Sequence, residues 1–213
     1  MGSATAVSGS CGRMDEVTPG VFHWSAIHPN TGGRAHSYLL EPARTVLDPM
    51  VPDEALELLR EHPPERVVLT NRHHWRQAER LVEEFGIPVL CPQPGLHEFA
   101  HDEREVEPYS YGEELTPELI AREVGEICPD DAAIEIRLGP GLLAFADGLM
   151  RSDGGLRFVS DPLIGDDPEA VKAGLRRSLR ALLDLDFDGL LFAHGEPLAR
   201  GGRQALREFL DPG

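Results

Sequence analysis

The run Val67-Val68-Leu69-Thr70 is apolar on both sides of its pleat, so as a strand it has to be covered on both faces. A helix follows. Ala78, Leu81, Val82 and Phe85 recur at i, i+3, i+4 and i+7, which is one amphipathic stripe, and Gly86 stands where that helix should end. Pro88-Val89-Leu90-Cys91 then returns to strand. The same alternation occupies most of the chain. Val21-Phe22-His23-Trp24, Ser37-Tyr38-Leu39-Leu40 and Arg44-Thr45-Val46-Leu47-Asp48 are predicted strands, with Thr31-Gly32-Gly33 turning between the first two. Pro52 opens a helix whose apolar side carries Ala55, Leu56, Leu58 and Leu59. From Gly95 to Gly125 the acids and prolines predict a short helix, a loop and one strand.

Further on, residues 132–138 alternate, with Ile134 and Ile136 on one side and Glu135 and Arg137 on the other. Leu142-Leu143-Ala144-Phe145-Ala146 reads as a buried strand ending at Asp147. Asp166 or Asp167 caps a helix at Pro168 with the stripe Val171, Leu175, Leu179 and Leu182. A last strand, Leu190-Leu191-Phe192-Ala193, ends at His194-Gly195, and a helix runs from about Arg203 to Leu210. Gly139-Pro140-Gly141 and Gly154-Gly155 read as hairpin turns. This order predicts the α/β class, two facing sheets with helices outside. Residues 1–16 read as a disordered tail and 17–213 as a single domain. The opening MGSATAVSGSCGR has no basic segment ahead of an apolar one, so no secretory signal is expected.

Charge narrows the partners. Thirty-seven acidic against 20 basic residues give a formal net charge of −17. Counterion release cannot drive nucleic-acid binding on such a surface, and an anionic membrane would repel it. No apolar run reaches the ~18 residues of a membrane span. Cys11, Cys91 and Cys128 are too few and scattered for a disulfide framework, so a cytoplasmic protein is expected.

Polar residues collect where predicted strands end: Asn71-Arg72-His73-His74, Asp147 and His194. With these motifs in place, residues 17–210 resemble the metallo-β-lactamase superfamily. That family's order is an apolar strand, a Thr-His-x-His-x-Asp-His loop opening a helix, a loop histidine, a Gly-Asp-x-Leu strand end and a late Gly-His. Here Thr70-Asn71-Arg72-His73-His74-Trp75-Arg76 is similar to the first loop, and Ile127-Cys128-Pro129-Asp130-Asp131-Ala132 to the second. Ala146-Asp147-Gly148-Leu149 stands at the bridging aspartate, Ala193-His194-Gly195 at the last ligand, and Val46-Leu47-Asp48-Pro49 at the strand before the first helix.

The resemblance implies a sandwich of two mixed sheets between helix layers and hydrolysis by metal-activated water. It also implies a degenerate centre. Asn71 replaces the first histidine, Trp75 the aspartate, Arg76 the adjacent histidine and Cys128 the loop histidine. His73, Cys128, Asp147 and His194 remain as the implied ligands, within a cleft that also holds Asn71, His74, Trp75 and Arg76. One zinc ion or none is expected, with a small-molecule ligand as partner. The functional alternatives are a hydrolase-like protein with a metal-poor cleft, a mononuclear zinc hydrolase using His73, Cys128 and Asp147, and a non-catalytic binding domain. Three geometric expectations follow: His73, Cys128, Asp147 and His194 gather in one pocket; Trp75 packs on the cleft floor; and Arg76 pairs with Asp147 in place of metal charge.

Overall fold

The computed structural model describes residues 14–101 and 103–211. The first sheet takes the strands in chain order: β1 (Asp15–Thr18), β2 (Val21–Ile27), β3 (Arg34–Leu40), β4 (Thr45–Leu47), β5 (Arg66–Val68), β6 (Val89–Pro92) and β7 (Glu107–Tyr109). The first four are antiparallel neighbours; β4 to β7 run parallel. Helix α1 (Asp53–Glu61) connects β4 to β5, and α2 (Ala78–Phe85) connects β5 to β6. Gly86 ends α2 in the left-handed conformation at φ 64°. The second sheet is built from β8 (Glu114–Thr116), β9 (Leu119–Glu123), β10 (Ala132–Ile136) and β11 (Leu142–Phe145). A hairpin of β12 (Met150–Ser152) and β13 (Gly155–Arg157) follows, then helix α3 (Pro168–Leu182), strand β14 (Gly189–Phe192) beside β11, and helix α4 (Gly202–Leu210).

Strand periodicity divides the core into three apolar layers. Val46 and Val67 face outward onto Ala55, Leu59 and Leu81 of α1 and α2. Their neighbours Leu47 and Val68 face inward and meet Ile134, Ile136, Ala144 and Leu191 of the second sheet. On that sheet's far side, Leu143, Phe145, Leu190 and Phe192 pack on Leu175 and Leu179 of α3 and Leu206 of α4. The layers are therefore helix, sheet, sheet, helix.

Three departures from the sequence reading have physical causes. The stretch from Gly95 to Gly125 holds three strands (β7, β8 and β9) rather than one. Pro108 is tolerated because β7 is an edge strand, and Pro117 occupies the turn between β8 and β9, so neither proline marks a loop. Glu135, expected on a polar face, is buried, because Arg122 and Arg137 close over its carboxylate. Asp15 and Glu16, expected in the tail, pair with β2; residues 1–13 of that tail lie outside the described residues.

The sheets are joined by more than apolar contact. The Tyr38 hydroxyl of β3 donates to the Phe192 carbonyl of β14 and accepts from the Phe192 N–H, both at 3.0 Å. Backbone bonds from His36 N–H to Ala193 O (3.0 Å) and from Ala132 N–H to Thr70 O (2.9 Å) join the same ends of the strands. Tyr38→Phe leaves two enclosed backbone groups of Phe192 without a partner. It should lower unfolding stability by about 2–4 kcal/mol in urea titration, whereas a loss below ~1 kcal/mol would show that the bridge is incidental.

Candidate functional site

The strand ends joined in this way also bring the polar residues together. Thr70 follows β5, and its successor Asn71 caps a 3-10 turn spanning Arg72–Trp75. The Asn71 Oδ1 accepts from the His73 N–H at 3.0 Å, while its Nδ2 donates to Asp147 Oδ2 at 2.8 Å. A 3-10 turn repeats every three residues, so Asn71 and His74 lie on one side of it and His73 on another. His74 is buried, and His73 is exposed.

The His74 ring is held from both ends. Its Nδ1 lies 3.1 Å from Asp48 Oδ2 and 3.0 Å from the Thr70 hydroxyl. Its Nε2 faces Asp147 Oδ1 at 3.5 Å, and His194 Nε2 meets the same oxygen at 3.0 Å. One ligand atom from each of His74, Asp147 and His194 lies within 4.8 Å of the other two. Asp147 and His194 remain partly open to solvent, so the group is closed below and accessible above. Gly195 allows the chain to leave at this point: its φ is +132°, and a Cβ there would stand 2.1 Å from the Arg151 carbonyl.

Below the group, Asp48 is buried and satisfied. Its carboxylate accepts from the Thr70 N–H at 2.8 Å and the Thr70 hydroxyl at 2.6 Å. Arg76 sits beside it and donates to the carbonyls of Asp48 (2.7 Å), His36 (2.8 Å) and Ala193 (3.3 Å). Asp48 and Arg76 both hold positive φ, 46° and 48°, which is uncommon for non-glycine residues and is sustained by these bonds.

The charges are mutually adjusted. Burial, the largest single effect, would lower the His74 imidazole, but the Asp48 and Asp147 carboxylates together outweigh it and push the ring up to about 9. Against the opposing effect of burial, His74 and Arg76 hold Asp48 below the usual carboxylate range, and His74 with His194 holds Asp147 well below it. Without a metal, protonated His74 and Arg76 therefore balance ionised Asp48 and Asp147.

The expected site residues are distributed unevenly. Asp147 and His194 meet; His73 and Cys128 are not in their group, and His74 is. Cys128 lies beside Asp130, and burial foremost pushes its thiol up to about 12, a poor state for a thiolate ligand. Arg76 makes its hydrogen bonds to carbonyls and acts on Asp147 through space. Trp75 lies toward the rim rather than on the floor: its ring packs 5.8 Å from Phe99 under the Arg104 guanidinium, and its Nε1 donates to Glu79. An adjoining cavity of about 270 Å³ is lined by His28, Arg72, His73, Trp75, Arg76 and Arg104, among others.

Beneath the site, Asp131 is enclosed and accepts from the Asp147 N–H at 3.2 Å. Burial, with Asp147 adding to it, pushes its carboxyl up to about 8. The native state thus keeps a proton that the unfolded chain releases near pH 4, and this contribution to stability falls as pH rises from 4 to 8. Asp131→Asn retains the acceptor and removes the titration. In chelator-treated protein, the stability of the variant relative to wild type should climb across that window; a pH-independent difference would place the Asp131 carboxyl in the ordinary range.

No protein-family model and no curated protein matches this sequence. Solved structures do match it. A metallo-beta-lactamase family protein from Thermus thermophilus is 19% identical, with a TM-score of 0.63 over 92% of this chain and 79% of its own. A metallo beta lactamase from Erythrobacter litoralis is 14% identical, with a TM-score of 0.64 over 96% of this chain and 100% of its own. A class B3 di-zinc metallo-beta-lactamase from an Alaskan soil metagenome is 10% identical, with a TM-score of 0.54 over 99% and 95%. Di-iron proteins also match. These likenesses, together with the helix–sheet–sheet–helix layering, show that the chain has the metallo-β-lactamase superfamily fold.

Proposed function

We propose that the chain is a hydrolase whose centre takes a single divalent transition-metal ion between His74, Asp147 and His194, acting on a small molecule admitted through the adjoining cavity. The observation that supports this most is the orientation of His74. Asp48 and Thr70 occupy its Nδ1, which turns Nε2 toward Asp147 and His194. A carboxylate behind a ligating imidazole is the usual device for fixing its tautomer and direction. Two imidazoles and one carboxylate suit zinc or a similar ion and leave positions free for water and substrate. A second ion does not fit. Arg76 is permanently cationic, Trp75 cannot ligate, and the Asn71 amide is committed to Asp147.

The residues of the chain have definable tasks. Asn71 holds Asp147 Oδ2 and leaves Oδ1 for the shared position. His74 would ligate through Nε2 in its neutral form, releasing that proton, while Asp48 keeps the ring in place. Arg72, Arg104 and His28 outnumber Glu98 in the cavity lining, which supports a ligand with an anionic portion. The bound ion would supply Lewis-acid polarisation and a water of lowered pKa. Among the described residues no helix is long and apolar enough to cross a membrane, and Cys91 and Cys128 are free thiols. The thiols support placement in the reducing cytoplasm.

The internal charge balance favours a second reading, a metal-free binding cleft, and one experiment separates the two. Purified chain, without a polyhistidine tag, is loaded with zinc, manganese or iron and measured by elemental analysis after dialysis. Asp147→Asn and His194→Ala should each remove one equivalent of bound metal and the metal-dependent hydrolysis of an ester, thioester and lactone panel. His73→Ala and Cys128→Ser should remove neither. Unchanged metal content in both Asp147→Asn and His194→Ala would overturn the hydrolase reading and leave the metal-free cleft.

A further inference from the structure

A second pair of histidines stands apart from the Asp147 group, on the inward faces of β2 and β3. His23 Nε2 and His36 Nδ1 share a hydrogen bond of 2.9 Å, and the rings stack with centroids 5.1 Å apart and 7° between their planes. Both side chains are buried. Glu196, exposed in the segment after β14, brings its carboxylate to 3.9 Å from His23 Nδ1. One nitrogen of each ring and one Glu196 oxygen lie within 4.8 Å of one another. None of these residues belongs to the proposed hydrolytic centre.

Chemistry and position both suit a metal. Burial foremost lowers His23 to about 4 and His36 to about 3, so at neutral pH both rings are uncharged and need lose no net proton to ligate. Ligand atoms on a tetrahedral zinc ion, each at ~2.0–2.1 Å, lie about 3.4 Å apart. The rings are closer than that and can exchange their mutual N–H···N bond for bonds to an ion, while the exposed Glu196 side chain has room to complete the set. The surrounding field is mixed. Asp15, opposite His23 across the β1–β2 ladder, adds negative charge; Arg34 and Arg76 act on His36 with positive charge. Selection therefore rests on nitrogen ligation, which favours zinc, nickel or copper over magnesium or calcium.

We propose that His23, His36 and Glu196 form a second, mononuclear transition-metal site that clamps the β2–β3 hairpin of one sheet to the segment following β14 of the other. Its role is structural, a cross-link between the sheets that takes no part in the hydrolytic chemistry of Asp147.

The test uses untagged full-length chain, zinc as the probe, and two readouts, bound zinc per chain and thermal midpoint. In the Asp147→Asn background one equivalent of zinc should remain and raise the midpoint, with no such rise from magnesium. Adding Glu196→Gln, an exposed change that leaves the fold intact by circular dichroism, should weaken that zinc about tenfold or more and remove the rise. Adding His23→Gln instead should do the same. An Asp147→Asn protein that binds no zinc overturns the site, as does zinc binding indifferent to Glu196→Gln. Failure of the hydrolase reading looks different: Asp147→Asn then holds as much zinc as wild type, and only the Glu196→Gln and His23→Gln changes reduce it.

Discussion

The Asp48 carboxylate is enclosed where β4 ends, and its charge has to be met there. An ion taken out of water costs several kcal/mol unless nearby donors and opposite charge compensate. Thr70 supplies two donors, His74 a third, and the Arg76 guanidinium lies on the carbonyl of the same residue. The Ser37 hydroxyl also donates to that carbonyl at 2.6 Å and accepts from the Met50 N–H, so β3 and the segment before α1 are tied to the same point. The solution that keeps Asp48 charged thus fixes the end of β5, the 3-10 turn and the ring of His74. The site is a consequence of how one buried anion is accommodated.

Arg76 supplies positive charge and hydrogen-bond donors at one place in this arrangement. A guanidinium carries one positive charge and offers five N–H donors in a plane. Here these donors bind carbonyls of β3, of the β4 end and of the β14 end, three segments drawn from both sheets. It therefore holds the sheets together at the cleft and offsets Asp48 and Asp147 through space. A dinuclear centre would provide more charge at that place but no donors to carbonyl oxygens. On the proposed reading, Arg76 supplies structural ties where a second ion would supply Lewis acidity, which would leave room for one ion rather than two.

The layering was legible because strand faces alternate strictly. Val46 and Leu47, or Val67 and Val68, differ by one position and go to opposite layers. Asp147 and His194 were legible because each ends an apolar run. Which first-loop histidine meets them was not. Spacing in a loop says nothing until its local helix type is known, and the 3-10 turn puts His74 and not His73 beside Asp147. Cys128 stood near the right strand, yet burial against Asp130 keeps its thiol protonated. Asp48 ended a visible strand, but nothing in Leu47-Asp48-Pro49 announces that its side chain turns inward at positive φ. His23 and His36 read as ordinary strand residues, since their meeting depends on the pairing register of β2 with β3.

Net charge and local charge act on different ligands and at different ranges. The chain carries −17 overall, and at physiological salt that field decays over ~8 Å from the surface. Within that range it concentrates divalent cations and thins out anions near the protein. The cavity lining carries Arg72, Arg76, Arg104 and His28 against the one carboxylate Glu98, and Arg72 is already paired with the buried Asp130. On the proposed reading, an anionic ligand would be slowed on approach and held on arrival, whereas a metal ion would be drawn in but would have to displace a proton from His74 to stay. Were a divalent ion held there as proposed, with His74 deprotonated, the centre with Asp48, Asp147 and Arg76 would be one unit positive. On the proposed reading, a ligand carrying a single negative charge would restore neutrality at the open position between Asp147 and His194, so charge as well as cavity size would select what the cleft retains.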